Sequence, residues 1–577
     1  MKKLMLGNQA VARGLYEASC AFVSSYPGTP STEITEYAAK YPEIYAEWAP
    51  NEKVAMEAAI GASISGVRSF CAMKHVGLNV AADPLFITSY IGAEAGMVIA
   101  VADDPGMHSS QNEQDSRHYA VAAKLPMLEP SDSAECRDFT VKAFELSEKF
   151  DTPFILRTST RVAHSQSIVE EGERKQLEIK PYEKNPAKHV MAPANAIKRH
   201  VVVEQRLDEI AEWANICEFN RAEYNSEKLG IICAGSTYVY SKEVFGNDAS
   251  YLKLGLVNPL PDKLIREFCS KVERVIVIEE LDPVIETYVK SLGIVCDGKN
   301  MLPELSEFSQ EVIAKCVLGK QPESVSISDE IPVRPPVLCP GCPHRGLFYT
   351  LKKMKLTVSG DIGCYTLGAA APLSAVDTTL CMGASISGLH GMNKSGGISP
   401  EKSVAVIGDS TFAHSGVTGL MNIVYNKGIS TVIIADNRIT GMTGHQENPT
   451  TGKTLKEEIT HALNLEKLCE AMGINDVKVI DPNDTKAMEE GIKDSLSRQE
   501  PSVIISRRPC VLLKEVKKDK YFVIDSDKCR SCKACMQIGC PAISMVDGKA
   551  KIDTTLCTGC GLCQNMCKFG CIIEKNR

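Results

Sequence analysis

The sequence predicts an α/β, multidomain protein built on parallel sheets, followed by a small C-terminal α+β domain held together by metal–sulfur bonds. Three observations predict it. Apolar runs of strand length alternate with amphipathic helical stretches through most of the chain, the signature of parallel sheets covered by helices on both faces. Two polar, charged stretches, 166–193 and 321–336, interrupt that alternation and read as seams. The tail instead carries two cysteine runs in an internal repeat, Ile524-Asp525-xxx-Cys529 and Ile552-Asp553-xxx-Cys557, each unit too small for a core of its own.

A chain of 577 residues predicts roughly three to five domains, and the seams divide it into four: 1–180, 195–320, 335–515 and 520–577. In the first, SFCAMK (69–74), GMVIAVA (96–102) and PFILRT (153–158) are the strands. GIICAG (230–235) and RVIVIEE (274–280) serve the second, SVAVIG (403–408) and STVIIAD (430–436) the third. A basic link, LKEVKKDK, precedes Tyr521 and the tail. The net charge of −8, with no basic stripe, argues against a nucleic acid or a membrane surface as partner. No apolar run approaches the roughly 20 residues of a membrane span, and the start, MKKLMLGNQAV, is too short in apolar residues for a signal peptide. The expected compartment is therefore the cytoplasm, where 23 cysteines read as metal ligands before disulfides.

The tail is the strongest local signal. Cys557-x2-Cys560-x2-Cys563-x3-Cys567 has the spacing of two-cluster bacterial ferredoxins, in which the fourth cysteine of each run ligates the other cluster. On that topology Cys529, Cys532, Cys535 and Cys567 hold one [4Fe–4S] cluster, and Cys557, Cys560, Cys563 and Cys540 the other. Four residues rather than three precede Cys540, which is tolerable in the ligand that leaves its own loop; Lys568 replaces the usual proline, and Cys571 is a spare. Zinc knuckles, the alternative, fit two three-plus-one runs poorly. Such a tail moves single electrons.

The third block offers a source for them. SVAVIG reads as a strand ending at Gly408-Asp409, followed by a helix over roughly 416–426 and a second strand ending at Asp436-Asn437. A right-handed crossover places both C-terminal ends on one edge, so Asp409 and Asn437 face each other across a crevice as hard oxygen ligands for Mg²⁺ and a diphosphate. A generic strand-end aspartate is the bland alternative. The stretch resembles the thiamine-diphosphate motif, which begins Gly-Asp-Gly and ends in asparagine. That resemblance assigns Mg²⁺ to the side chains of Asp409 and Asn437 and the carbonyl of Ile439, with Ser410 in place of the second glycine.

The preceding motifs CPGCPHR (339–345), SGDIGCYTLG (359–368) and MGASISG (382–388), and RRPC ending at Cys510, extend the likeness. As an ordered set they resemble the thiamine-binding part of the 2-oxoacid:ferredoxin oxidoreductases. The resemblance implies a third [4Fe–4S] cluster on Cys339, Cys342, Cys364 and Cys510, and adds Gly408, Cys364, Met382 and His344 to the thiamine site. A Cys-x2-Cys pair alone would equally suit a zinc half-site, a redox pair or the core.

In the first block, APNEKVAMEAAIGASISG places Glu52 in the first turn of an apolar-periodic helix, where the macrodipole alone would favour it. By the same resemblance Glu52 is the catalytic carboxylate beside the aminopyrimidine ring, and Thr29, in YPGTPSTEI, lies near substrate and thiazolium. Arg117, in HSSQNEQDSR, is the candidate for the substrate carboxylate on the strength of its bidentate geometry; His75, His108 and His118 receive no role. The fused block order resembles the alpha-subunit type of the family's indolepyruvate branch. It implies coenzyme-A-dependent oxidative decarboxylation of an aryl 2-oxoacid such as indolepyruvate, electrons leaving to an external ferredoxin. It also implies a separate gamma-type (beta) partner subunit, hence a heterodimer. A non-oxidative thiamine decarboxylase, which leaves the tail idle, and an electron carrier with a vestigial thiamine fold are the rival readings.

Overall fold

The computed structural model describes residues 1–321, 330–332 and 335–577, so most of the seam at 321–336 lies outside the described residues. Two compact units emerge, Met1–Ser328 and Asp329–Arg577, rather than four. Each of the first three blocks still has a main sheet of its own.

In the first unit, strands Phe22–Ser25, Tyr45–Trp48, Ser69–Lys74, Met97–Asp103, Met127–Leu128 and Phe154–Ser159 form a parallel sheet. A seventh strand, Leu256–Asn258, comes from the second block and pairs antiparallel with Met127–Leu128 at the edge. The second sheet aligns Arg274–Ile278, Leu229–Ala234 and Ser250–Leu254 in parallel, with Arg221–Glu223 antiparallel at its margin. One apolar core runs from Met73, Ile99 and Ile155 of the first sheet to Ile232, Leu252 and Val277 of the second. That shared core, with the borrowed edge strand, is why the two predicted blocks fold as one unit.

The second unit is built on five parallel strands in the order Thr357–Ser359, Ser403–Gly408, Thr431–Asp436, Ser502–Arg507, Asp476–Ile480. The central strands, Ser403–Gly408, Thr431–Asp436 and Ser502–Arg507, carry apolar runs because both faces are covered, and alternate residues go to different cores. Val404, Val406, Ile433 and Ile504 pack on one side against Leu347, Phe348 and Leu351. Ala405, Ile407, Val432, Ile434, Val503 and Ile505 pack on the other against Leu389, Leu420 and Ile423. The helix expected from about residue 416 begins at Asp409 itself. It passes through a π-helical turn, Phe412–Gly416, before continuing as Val417–Tyr425, and such turns concentrate at functional sites.

The tail is two antiparallel pairs, Lys520–Ile524 with Ile572–Asn576 and Ile543–Val546 with Lys549–Ile552. The internal repeat has a structural meaning. Asp525 and Asp553 each accept a hydrogen bond at the main-chain carbonyl from the cysteine four residues on, at 3.0 Å, and at the side chain from the second residue on. Each aspartate thus folds the start of one cysteine loop. Among the described residues no helix is long and apolar enough to cross a membrane.

Candidate functional site

In the tail, the cysteines gather across the two runs. The thiol of Cys535 is pushed up by burial and by Cys532, Cys529 and Cys567 around it. That of Cys563 is pushed up by burial and by Cys560, Cys540 and Cys557. A cavity is lined by Cys540, Cys557, Cys560 and Cys563 together with Arg345. The fourth cysteine of each run therefore sits with the other run, as the spacing predicts. Among the described residues no group of three or more His, Cys, Asp or Glu is arranged to hold a single metal ion; a four-iron cluster spaces its thiolates more widely. Cys571 is buried with its Sγ 3.2 Å from that of Cys567.

The additional residue before Cys540 has a use. A short 3-10 helix, Ala534–Ile538, ends on Gly539, whose φ of 63° is left-handed and favours glycine. The carbonyls of Ile538 and Gly539 accept from Nη1 of Arg345 at 3.0 and 2.5 Å. Nε of Arg345 donates to the carbonyl of Cys339 at 3.1 Å, and Nη2 to that of Leu338. Arg345 is only 3% exposed, and none of these acceptors is a carboxylate. Burial lowers its pKa, and Cys540, Cys342, Cys560 and Cys339 oppose that with negative charge. One guanidinium thus joins the CPGCPHR loop to the tail.

Cys339, Cys342, Cys364 and Cys510 also converge, from three loops. Cys364 is pushed up to about 11 by burial, with Cys510 and Cys339 adding. Cys342 is pushed up to about 12 by burial, with Cys364 and Cys339 among the groups around it. The N–H of Cys510 donates to the carbonyl of Asn437 at 2.9 Å, which ties this set to the crevice.

Asp409, Asn437 and Ile439 are all buried at adjacent strand ends, at 2%, 7% and 4% exposure. Asp409 is held well above the usual carboxylate range by burial and by Asp436. Oδ2 of Asp409 accepts from Thr450 Oγ1 at 3.1 Å, and Oδ1 from the N–H of Ser410. A buried carboxylate pressed by a second one is a site short of positive charge, which suits a divalent cation. Ser410, the departure from the motif, accepts from Thr440 Oγ1 at 3.0 Å. His344 is buried, its Nε2 lacks a hydrogen-bond partner, and burial lowers its pKa to about 4, leaving a neutral ring. Gly408 answers first to Tyr365, whose ring lies 2.4 Å from where a Cβ would stand. Met382 is half-buried beside Gly383. Sequence reasoning missed Asp361, whose carboxylate accepts from the N–H groups of Ile362, Gly383 and Ser385 at 2.8, 2.8 and 3.0 Å. It pins the SGDIGCYTLG loop to the start of helix Ala384–Lys394, and an aspartate straight after a strand was the only clue.

In the first unit, Glu52 opens helix Glu52–Ile64, capped by Asn51 Oδ1 accepting from the N–H of Val54 at 2.9 Å. Its carboxylate is buried and lies against Gly77, where a Cβ would come within 2.6 Å of Oε1. Thr29 follows strand Phe22–Ser25, and its carbonyl accepts from Ser109 Oγ at 3.2 Å. Arg117, expected at the substrate carboxylate, is engaged by partners within the chain. It is 1% exposed, and all three of its nitrogens are engaged: Nε and Nη2 with Asp115, Nη1 with Glu279, and Nη2 also with the carbonyls of Glu280 and Asp282. Its bidentate fork already grips a carboxylate inside the chain. His108 and His118 are exposed beside Glu307 and Asp282, while His75 is buried with Nε2 3.3 Å from Asn112.

Residues 13–226 match the family described as pyruvate flavodoxin/ferredoxin oxidoreductase, thiamine diphosphate-binding. Residues 361–506 match the thiamine pyrophosphate enzyme, C-terminal TPP binding domain, and 521–568 the 4Fe-4S dicluster domain. The chain is 40% identical to the indolepyruvate oxidoreductase subunit IorA of Archaeoglobus fulgidus, over 98% of this chain and 96% of that protein. It is 42% identical to the IorA subunit of Thermococcus kodakarensis, with the same coverage. Among solved structures, the 2-oxoglutarate:ferredoxin oxidoreductase of Magnetococcus marinus is 20% identical, with a TM-score of 0.47 over 55% of this chain and 65% of that one.

Arg345→Met strands four carbonyls, two of them in buried bonds, and orphaned buried acceptors cost about 1–3 kcal/mol each. The thermal midpoint of anaerobically purified protein should fall by several degrees, and Arg345→Lys should recover only part of it, which calorimetry would read. An unchanged midpoint in Arg345→Met would remove the joining role.

Proposed function

The chain belongs to the family of the indolepyruvate oxidoreductase IorA subunits, within the 2-oxoacid:ferredoxin oxidoreductases, and from that premise we propose that it carries out coenzyme-A-dependent oxidative decarboxylation of indolepyruvate and similar aryl 2-oxoacids, with electrons passing to ferredoxin. The observation that carries the reading is the continuity of the second unit. Asp409 and Asn437 stand at the crevice, Cys510 is tied to Asn437, and Arg345 ties the Cys339 loop to the tail. A non-oxidative decarboxylase would have no use for that succession.

The buried, cation-deficient Asp409 and the partnerless Nε2 of His344 fit a Mg²⁺-bound diphosphate. Asp409, Asn437 and the Ile439 carbonyl would hold the metal. The four cysteines around the tail cavity fit one iron–sulfur cluster, and Cys529, Cys532, Cys535 and Cys567 fit a second. Cys339, Cys342, Cys364 and Cys510 would hold a third beside the crevice. When bound, thiamine diphosphate supplies the carbanion chemistry of decarboxylation, and the clusters take electrons one at a time. Glu52, buried and packed against Gly77, would supply the carboxylate for the aminopyrimidine ring, as the family likeness implies. Thr29 lines the acid end of the substrate. The gamma-type subunit, coenzyme A and ferredoxin are the proposed partners, in the cytoplasm.

The direct test is anaerobic reduction of ferredoxin by indolepyruvate and coenzyme A with the partner subunit present. Release of CO₂ without reduction would overturn the reading. Glu52→Gln should abolish this turnover while dithionite still reduces the clusters. Gly77→Ala, by displacing the Glu52 carboxylate, should lower kcat about 100-fold at unchanged iron content. Chemical analysis should find about 12 iron atoms per chain, falling to about 8 in Cys339→Ser/Cys342→Ser; 8 in the unaltered protein would eliminate the third cluster.

A further inference from the structure

The two cysteine sets of the tail have different surroundings. The run that supplies Cys557, Cys560 and Cys563 is uncharged from Cys557 to Cys567, and the cavity of that set is also lined by Pro340, Gly341 and Arg345 of the CPGCPHR loop. The other run is the reverse. Lys528, Arg530 and Lys533 flank its ligands, Lys568 follows Cys567, and all four side chains are exposed. Cys532, in their midst, is exposed too, whereas the other seven ligand cysteines of the tail are buried or half-buried. Because Cys567 gathers with Cys529, Cys532 and Cys535, Lys568 and its neighbour Phe569 belong to the same rim. Phe569 is 49% exposed, which leaves an aromatic ring in solvent beside the cations.

Most of this charge has no answer inside the chain. Lys528 stands 3.3 Å from Asp525, whose carboxylate also accepts from the N–H of Asp527, itself the exposed acid of the same loop. Among the described residues, Arg530, Lys533 and Lys568 form no ion pair. A cysteine run does not require such cations to carry a cluster, since the second run has none. The tail as a whole runs against the rest of the protein: Lys and Arg outnumber Asp and Glu nine to five over residues 520–577, in a chain of net charge −8. A local positive face on an acidic protein steers a negatively charged partner and orients it on arrival. An aromatic residue within a charged rim is the composition of a protein interface. Electron transfer weakens steeply with distance, so the set with an exposed ligand is the one a partner can approach.

We propose that the face formed by Arg530, Lys533, Lys568 and Phe569 around Cys532 docks a small acidic electron-carrier protein, which makes the Cys529 set the exit and the Cys540 set the inner relay. This rests on the reading that the chain passes electrons to such a carrier. Each transfer moves one electron from the reduced cluster to the oxidised carrier, with no bond made or broken. The test uses the complete chain with its partner subunit, reduced by dithionite, freed of excess reductant and mixed in a stopped-flow cell with an oxidised acidic ferredoxin. The second-order rate should fall about tenfold or more between about 0.05 and 0.5 M salt. Arg530→Glu/Lys533→Glu/Lys568→Glu should lose about tenfold at low salt and most of the salt dependence. Its iron content and its rate with the small neutral acceptor metronidazole should not change. The same reversal at Lys394, Lys402 and Lys467, exposed lysines outside the tail, should leave the ferredoxin rate within about twofold. Where the tail reversal does not fold or loses iron, Arg530→Gln/Lys533→Gln/Lys568→Gln replaces it, again with most of the salt dependence gone. A salt-independent rate in the unaltered protein, a rate untouched by the tail reversal, or an equal loss in the control set would overturn the assignment. So would release of the partner subunit by the tail reversal on gel filtration, which would give the face to that subunit. Because dithionite replaces the substrate, the two readings fail separately. If indolepyruvate supports ferredoxin reduction while the tail reversal has no effect, the docking face alone is wrong. If no 2-oxoacid supports reduction while the reversal still slows transfer, the face stands and the functional reading falls.

Discussion

A guanidinium buried among main-chain carbonyls and cysteine sulfurs is the interaction on which the electron-transfer half depends. Arg345 carries a full charge at 3% exposure, and its acceptors come from two places far apart in sequence, Leu338 and Cys339 on one side, Ile538 and Gly539 on the other. Burying an isolated cation costs several kcal/mol even after relaxation. Here the carbonyl dipoles and the surrounding cysteines offset that cost. A lysine has neither the planar fork nor the number of donors to serve both loops at once.

The carboxylates of the second unit divide by the same logic. Asp361 is buried too, but three N–H groups answer it, and it acts as a hinge pin between two loops. Asp409 has the Thr450 hydroxyl and the N–H groups of Ser410 and Arg438, and faces the field of Asp436. Two buried aspartates, both pushed up by burial, thus differ in their surroundings: Asp409 alone of the two is pushed further by a second carboxylate, Asp436.

The strands were legible because apolar runs bounded by helical stretches leave little choice of structure, and SFCAMK is a strand from end to end. The neighbouring strand ends that carry Asp409 and Asn437 were legible because a strand–helix–strand succession encodes topology directly. The joining of the first two blocks in one compact unit was not, since Leu256–Asn258 gives no sign in its own sequence that it will complete an earlier sheet. The partners of Arg117 were no more legible: Glu279, its second carboxylate, is 162 residues away. The helix at Asp409 started early because a π-helical turn carries it through residues that the 3.6-residue period had excluded.

The five-residue step from Cys535 to Cys540 sets a limit on modularity. Small ferredoxins are natural spare parts, and a tail of this kind invites exchange with a freestanding one. A donor with the shorter spacing would bring every cysteine needed to carry clusters, yet lack the Ile538–Gly539 carbonyls that meet Arg345. The graft would leave a bare cation at the joint, competent in its own chemistry and disconnected from its host. Interchangeability here is decided by one residue that binds no iron.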